Sequence, residues 1–229
     1  ARLAPQILAS RLALYRSASD FDVDTSGRMP EEVLARVLAL LPPAAIRVSG
    51  AHGYGVAIGP GVLGTLGDVV RSTVGAARVA IVSDSNVAPL YLSAAKESLE
   101  AVGVETETII IEAGEPSKNW EQAGAIVSAL SEYRLGRDGA VVALGGGVVG
   151  DLAGFAAAVY VRGIPVVQVP TTLLAQVDSS IGGKTGVDLP AGKNLAGAFW
   201  QPAAVIADTD TLTSLPDVEW ASGLAEVAK

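Results

Sequence analysis

Cysteine is absent from the 229-residue sequence, which excludes a disulfide frame, a thiolate zinc site and a cysteine nucleophile. That absence is compatible with a reducing cytoplasm, the location expected for this chain. Histidine occurs once, as His52 in AHGYG, so a histidine-rich metal centre cannot be built from these residues. Aromatic residues make up only 5 % of the chain, and 24 acids outnumber 16 lysines and arginines for a net charge of −8. A nucleic-acid surface is basic, so no nucleic-acid partner is expected; a phosphorylated small molecule needs only a local positive pocket. Apolar runs are all far shorter than the roughly 20 residues that span a bilayer, so no membrane partner is expected either.

Half of the residues are apolar, and glycine, alanine and valine are abundant. Small and β-branched residues suit buried parallel strands with helices packed closely on them. From Ile46 onward, apolar runs of strand length alternate with helical patterns. IRVSG and GVAIG suggest a pair of strands, and residues 60–74 a helix. Residues 77–84, 106–112, 140–144, 165–170 and 203–209 read as strands. Residues 86–102, 117–133 and the stretch after Gly145 read as helices, with Ser117 as an N-cap. The pattern predicts a Rossmann-like α/β fold, a mostly parallel sheet with helices on both faces. Upstream, residues 1–15 read as a helix and 20–25 as an edge strand. A further helix opens at Pro30 and is closed by Pro42-Pro43. Residues 42–45 read as a linker.

The polar groups with chemical potential concentrate between Ala140 and Asn194. A buried strand opens through Gly145, Gly146 and Gly147 into a helix start, which presents free N–H groups and the positive end of a helix dipole. GGGVVG satisfies G-x-G-x-x-G at Gly145, Gly147 and Gly150. It is not the first strand–helix unit, however, and no acid follows at the spacing that would hold ribose hydroxyls. Gly150, Gly154 and Ala158, four residues apart, could equally serve close helix packing. GGKT fails as a P-loop because the first required glycine would fall at Asp178. Lys184 and Lys193, flanked by glycines, sit on backbone that can approach an anion closely. Asp178 has the alternative of a turn cap, as do Asp84 and Asn86 at the end of a strand. Glu226 and Lys229 share a helix face at i and i+3 and read by default as a surface pair.

Taken together, LGGGVVGDLAGFAAAVYVRGIPVVQVPTTLLAQVDSSIGGKTGVDLPAGKNLAGAFWQP, then DTDTLTSLP and GLAEVAK, closely resembles the 3-dehydroquinate synthase family, from about Ile46 to the last residue. The resemblance implies an NAD-binding α/β domain over residues 46–216, with 217–229 starting a helical metal and substrate domain. It also implies conversion of 3-deoxy-arabino-heptulosonate 7-phosphate to 3-dehydroquinate and phosphate in the shikimate pathway. That reaction runs through transient oxidation by NAD, phosphate elimination, reduction, ring opening and aldol closure, with a zinc or cobalt ion as Lewis acid. Carried over by motif, NAD contacts fall on Asp84, Asn86, Glu115, Lys118, Gly146, Gly147 and Asp151. They continue through Thr171, Thr172, Lys184, Lys193, Thr211 and Ser214. Asp178, Lys184, Lys193 and Asn194 would line the junction of cofactor and substrate. Arg162 matches an arginine that reaches the substrate phosphate, in some members from the neighbouring subunit of a homodimer. Glu226 matches a metal ligand and Lys229 a substrate-binding lysine. The rival readings are another sugar-phosphate cyclase, a metal-dependent polyol dehydrogenase of like architecture, and a non-catalytic NAD-binding fragment.

Residues 1–41 depart from that family. SRLALYRSASDFDVDTSGRMPEEVLARVLALL resembles the C-terminal tail of shikimate kinase, with Arg11 matching a shikimate-contacting arginine. A kinase–synthase fusion is therefore expected, and it accounts for a first residue of Ala1 better than an organellar transit peptide does. The family's two metal-binding histidines would lie beyond Lys229, so the helical domain is expected to be missing. This polypeptide alone is expected to turn over no heptulosonate phosphate. A continuous phosphate-release assay with NAD and cobalt checks this, and measurable turnover would overturn it.

Overall fold

Side chains that alternate between two core clusters along continuously buried central strands make a sheet covered on both faces. In β3 (Arg78–Asp84), Val79 and Ile81 enter one core cluster while Ala80 and Val82 enter the other. β5 (Ala140–Gly145), buried along its whole length, divides in the same way: Ala140, Val142 and Leu144 against Val141 and Ala143. The computed structural model describes residues 26–27, 29, 33, 44–49 and 53–229. The chain divides into two units, Ala1–Pro42 and Pro43–Lys229, and the second carries the sheet. Apart from Val33, which is helical, the expected kinase-like elements lie outside the described residues, as do Arg11 and His52.

The remaining elements are β1 (Ala44–Val48), β2 (Tyr54–Gly59), α1 (Leu66–Val69), α2 (Ala88–Ala101), β4 (Glu105–Ile111), α3 (Trp120–Glu132), α4 (Gly147–Val159) and β6 (Val166–Pro170). They continue with β7 (Lys184–Leu189), β8 (Gly192–Phe199), β9 (Ala204–Asp208) and α5 (Asp217–Ala228). The seven-stranded sheet has the order β1-β2-β9-β6-β5-β3-β4. All its pairings are parallel except β1 with β2, so the expected Rossmann-like, mostly parallel architecture is the one observed. Leu66 of α1 and Leu99 of α2 cover one face. Ile126 and Leu130 of α3, with Leu152 and Ala156 of α4, cover the other. Each buries a whole aliphatic side chain or a close alanine contact, the dominant favourable term in such a layered fold. The chain leaves β3 for β4 on one side and returns to β5 on the other. The carboxyl ends of β3 and β5 therefore flank a crevice, where ligands of open α/β sheets bind. No helix of the described residues is long and apolar enough to cross a membrane.

Local reading and structure differ at four places. The β1 ladder takes in Ala44 and Ala45, two residues that the proline punctuation leaves outside the strand, because its register extends to Ile58 and Ala57. Residues 60–74 form no single helix: a 3-10 turn (Val62–Thr65), α1 and a π turn (Val70–Val74) follow one another. Ser117 does not cap α3. It ends a 3-10 turn (Glu115–Ser117), and the cap is Asn119, whose Oδ1 accepts from the N–H of Gln122 at 2.8 Å. The fourth difference is the antiparallel β7–β8 hairpin, which stands apart from the main sheet. Its glycines hide it from periodicity arguments. Gly186 faces Gly197, and a Cβ on Gly197 would lie 2.0 Å from the Thr185 carbonyl oxygen.

The hairpin rests on α4 through Gly154, where an added Cβ would meet Thr185 Cγ2 at 2.5 Å. Thr185 cannot turn away without loss, because its hydroxyl donates to the Ala198 carbonyl at 2.8 Å. Gly154→Ala should therefore destabilise by about 1–3 kcal/mol despite the better helix former. Gly124→Ala on α3, with nothing within 4 Å of the new methyl, should stabilise by about 0.5–1 kcal/mol. Urea denaturation of both variants reads the opposite signs.

Candidate active site at the carboxyl edge of the sheet

At the end of β5 the backbone itself forms the surface. α4 starts at Gly147 after Gly146, and no side-chain hydrogen bond caps it. A Cβ on Gly146 would sit 3.1 Å from Thr172 Cγ2, and one on Gly147 3.2 Å from Ser179 Oγ. Glycine at these two positions admits those close neighbours, and the first-turn N–H groups, uncapped by any side chain, have the dipole's positive end behind them. The third glycine of the fingerprint serves packing: a Cβ on Gly150 would approach Gln168 Oε1 at 2.8 Å. Gln168 Nε2 donates to the Gly150 carbonyl at 3.1 Å, so β6 and α4 are joined there by a polar contact.

Among the described residues, four buried side-chain oxygens lack a hydrogen-bond partner: Ser83 Oγ, Thr171 Oγ1, Ser180 Oγ and Thr209 Oγ1. Buried hydroxyls are ordinarily satisfied. Three of these four lie at the carboxyl ends of parallel strands: Ser83 near the end of β3, Thr171 just past β6 and Thr209 just past β9. The fourth, Ser180, follows the π turn Ala175–Ser179.

Asp151, Asp178, Lys184 and Asn194 line one cavity of about 520 Å³ together with Ser179 and Phe199. Lys118 joins them from the 3-10 turn region. Its ammonium is buried between the Asp151 carboxylate, with which it forms an ion pair, and Asn194 Oδ1, to which it donates at 2.6 Å. Burial outweighs this pairing for Asp151. Desolvation holds its carboxyl above the ordinary 3.8; the Lys118 hydrogen bond and charge pull it down, and Glu115 and Asp188 push it up again. A second pair, Lys193 with Glu115 at 2.6 Å, is exposed. The Glu115 hydrogen bond and charge raise the Lys193 ammonium above its usual range.

The other expected residues are not among those that line this cavity. Asp84 acts as a turn cap, its Oδ1 accepting from the N–H groups of Asn86 and Val87 at 2.9 Å each. Thr172 Oγ1 accepts from the Ala175 N–H at 3.2 Å. Thr211 and Ser214 are tied to α2: Tyr91 Oη donates to the Thr211 carbonyl at 3.1 Å and lies 2.6 Å from Ser214 Oγ. Arg162 is exposed on a strained turn, with positive φ at Val161 (44°), Arg162 (69°) and Gly163 (115°) in succession. Glu226 and Lys229 pair with each other at 3.1 Å on α5, which packs on the turn that carries Asp178.

Sequence reasoning passed over two carboxylates. Asp208 is 3 % exposed and accepts from the N–H groups of Gly61, Leu63 and Asp210, fastening the end of β9 to the start of the α1 region. Asp188 accepts from the Asn194 N–H at 2.7 Å. A turn signal, Leu-Pro-Ala-Gly after Asp188, was the available clue.

The family described as 3-dehydroquinate synthase N-terminal matches residues 108–222. The 3-dehydroquinate synthase of Symbiobacterium thermophilum is 58 % identical over 181 residues, covering 79 % of this chain and 51 % of that protein. A solved 2-deoxy-scyllo-inosose synthase, complexed with carbaglucose-6-phosphate, NAD+ and Co2+, superposes with a TM-score of 0.76 at 28 % identity, over 81 % of this chain and 50 % of its own. A 2-epi-5-epi-valiolone synthase from Streptomyces hygroscopicus subsp. jinggangensis, with NAD+ and Zn2+ bound, gives 0.69 at 31 % identity, over 82 % and 51 % of the two chains. This chain spans about half the length of the curated relatives it matches.

The raised Asp151 carboxyl makes stability depend on pH with a defined sign. Between 3.8 and the raised folded value, the folded chain holds a proton that the unfolded chain has released. This group's contribution to stability therefore falls as pH rises through that window. Asp151→Asn should remove that component of the slope and, because burial of the ionised carboxyl costs more than Lys118 returns to it, should lose no stability at neutral pH. Urea midpoints of both proteins from pH 4 to 7 check it.

Proposed function

The chain belongs to the 3-dehydroquinate synthase N-terminal family, and from that premise we propose that it is the cofactor-binding half of a synthase that makes 3-dehydroquinate and phosphate from 3-deoxy-arabino-heptulosonate 7-phosphate. The observation that carries the NAD reading is the start of α4. Its N–H groups lie bare beside glycines that a methyl would crowd, and the partnerless hydroxyls of Thr171 and Ser180 adjoin the residues facing those glycines. A pyrophosphate fits such a backbone cradle, and ribose or amide groups can engage such hydroxyls. When bound, NAD supplies a reversible redox couple for one secondary alcohol of the substrate. The chain's own residues hold and orient. Gly146 and Gly147 admit the pyrophosphate, Glu115 and Asp151 offer acceptors to hydroxyls, and Lys118 keeps Asp151 in place. Lys184, exposed on the cavity wall near Asp178, and Lys193 at the hairpin tip attract the phosphate and carboxylate of the substrate. Arg162, held outward by its strained turn, suits the substrate phosphate of a neighbouring subunit in a homodimer.

The metal fits less well. Among the described residues no three His, Cys, Asp or Glu side chains converge, and the Glu226 carboxylate faces Lys229. These residues do not complete a zinc or cobalt site, and inactivity of this polypeptide by itself belongs to the same reading. The kinase-like tail at residues 1–41, a fusion with shikimate kinase and a cytoplasmic location also belong to it, supported by the sequence alone. A different sugar-phosphate cyclase is the second reading, favoured by the two solved cyclases at TM-scores of 0.76 and 0.69.

Isothermal titration tests the NAD assignment. Saturable binding to the 229-residue chain that disappears in a folded Asp151→Ala variant is expected. Absence of heat at millimolar NAD would sink the assignment and leave an inert fragment.

A further inference from the structure

A closed ring of contacts surrounds Asp188. The backbone N–H of Asp188 donates to the Lys118 carbonyl at 2.8 Å. The Lys118 ammonium donates to Asn194 Oδ1 at 2.6 Å. The Asn194 N–H donates in turn to Asp188 Oδ1 at 2.7 Å. Three residues from two segments of the chain are thus joined head to tail, and Asn119 forms an isolated parallel bridge with Asp188 alongside. The ring spans two elements that share no strand pairing in the main sheet: the turn after β4 and the β7–β8 hairpin. It also stands between two cavities. Asn194 and Asp151 line the first, whereas Lys118 and Asp188 line a second on the side of Trp120 and Pro190.

Asn194 is the strained member. It has φ of 55°, in the left-handed region that a non-glycine residue adopts at a cost. An Asp188 carboxylate receiving its N–H compensates by a charge-assisted hydrogen bond, stronger than a neutral one. Without it, the Asn194 backbone would relax and swing Oδ1 away from the buried Lys118 ammonium. Lys118 would then retain only Asp151, and the register between hairpin tip and cofactor edge would loosen.

The geometry points to Asp188 as a positioning residue. It locks the hairpin tip to the turn after β4 and thereby fixes Lys118 and Asn194 toward the crevice, without touching a ligand itself. This rests on the reading of the crevice as an NAD site, and the test separates the two. Asp188→Ala removes one link of the ring and leaves the backbone donor intact. Asp188→Asn retains an acceptor oxygen of the same reach and discards the charge.

Deuterium exchange of the ligand-free chain, read on peptides covering residues 188–195, should accelerate ~10-fold or more in Asp188→Ala, as expected for loss of a hydrogen bond to a charged group. In Asp188→Asn the acceleration should be limited to about 3-fold over the parent, because a neutral acceptor keeps roughly half of such a bond. NAD affinity by titration should follow the same order while thermal melts confirm that both variants fold. Unchanged exchange in Asp188→Ala overturns the proposal. So does an Asp188→Asn variant as loose as the alanine, or a loosened tip with undiminished NAD affinity. If the parent chain binds no NAD, the cofactor reading fails, and exchange alone decides whether Asp188 locks the tip.

Discussion

One buried ammonium organises the carboxyl edge of this domain's sheet. Lys118 is 7 % exposed, and a desolvated charge of that kind persists only if its surroundings return what water gave it. Asp151 supplies the counter-charge from α4 and Asn194 supplies a neutral acceptor from the hairpin, so three elements distant in sequence must converge on one nitrogen. The raised Asp151 carboxyl shows that the arrangement is costly as well as cohesive, because burial outweighs the attraction of the lysine. A pair of this kind contributes less to stability than to specifying one geometry. Here that geometry is the meeting of the turn after β4, α4 and the β7–β8 hairpin.

Around that point the protein alternates bare backbone with dense packing. Gly146 and Gly147 leave the start of α4 open, whereas Gly150 and Gly154, on the same helix, are filled against by Gln168 and Thr185. The same residue type thus does opposite work a few residues apart: exposing N–H groups in the first turn and admitting neighbours in the next two. The sheet supplies the rest of the constraint. Its crevice lies where the order of β3 and β5 reverses the winding, and among the described residues three of the four partnerless buried hydroxyls sit at the carboxyl ends of the parallel strands. Asp208 holds the far side by gathering three backbone N–H groups onto one carboxylate.

Much of this was legible in the chain. The buried run Ala140–Leu144 and the alternating strands downstream of Ile46 predict the parallel sheet, since apolar period and length decide strand and helix before any tertiary contact. The glycines after Gly145 predict an open helix start. The conspicuous lysines and acids of the second half were also recognisable, and Asp151, Asp178, Lys184 and Asn194 do share a cavity wall. Other parts were not legible. Glycines that mate Gly186 with Gly197 erase the alternation by which the hairpin would have announced itself. Ser117 reads as the cap in the sequence and Asn119 takes that place in the structure, because a cap depends on where the preceding turn ends, and the 3-10 turn runs through Ser117.

Short-range pattern and residue identity suffice for the layer architecture, the family and the chemical types available at the edge of the sheet. Tertiary structure alone decided who meets whom. Lys118 and Asn194 are 76 residues apart, and Asp208 lies 145 residues or more from the N–H groups of Leu63 and Gly61 that it holds. No local periodicity encodes such separations. They are fixed when burial forces each polar group to find a partner from whichever segment the sheet has brought alongside.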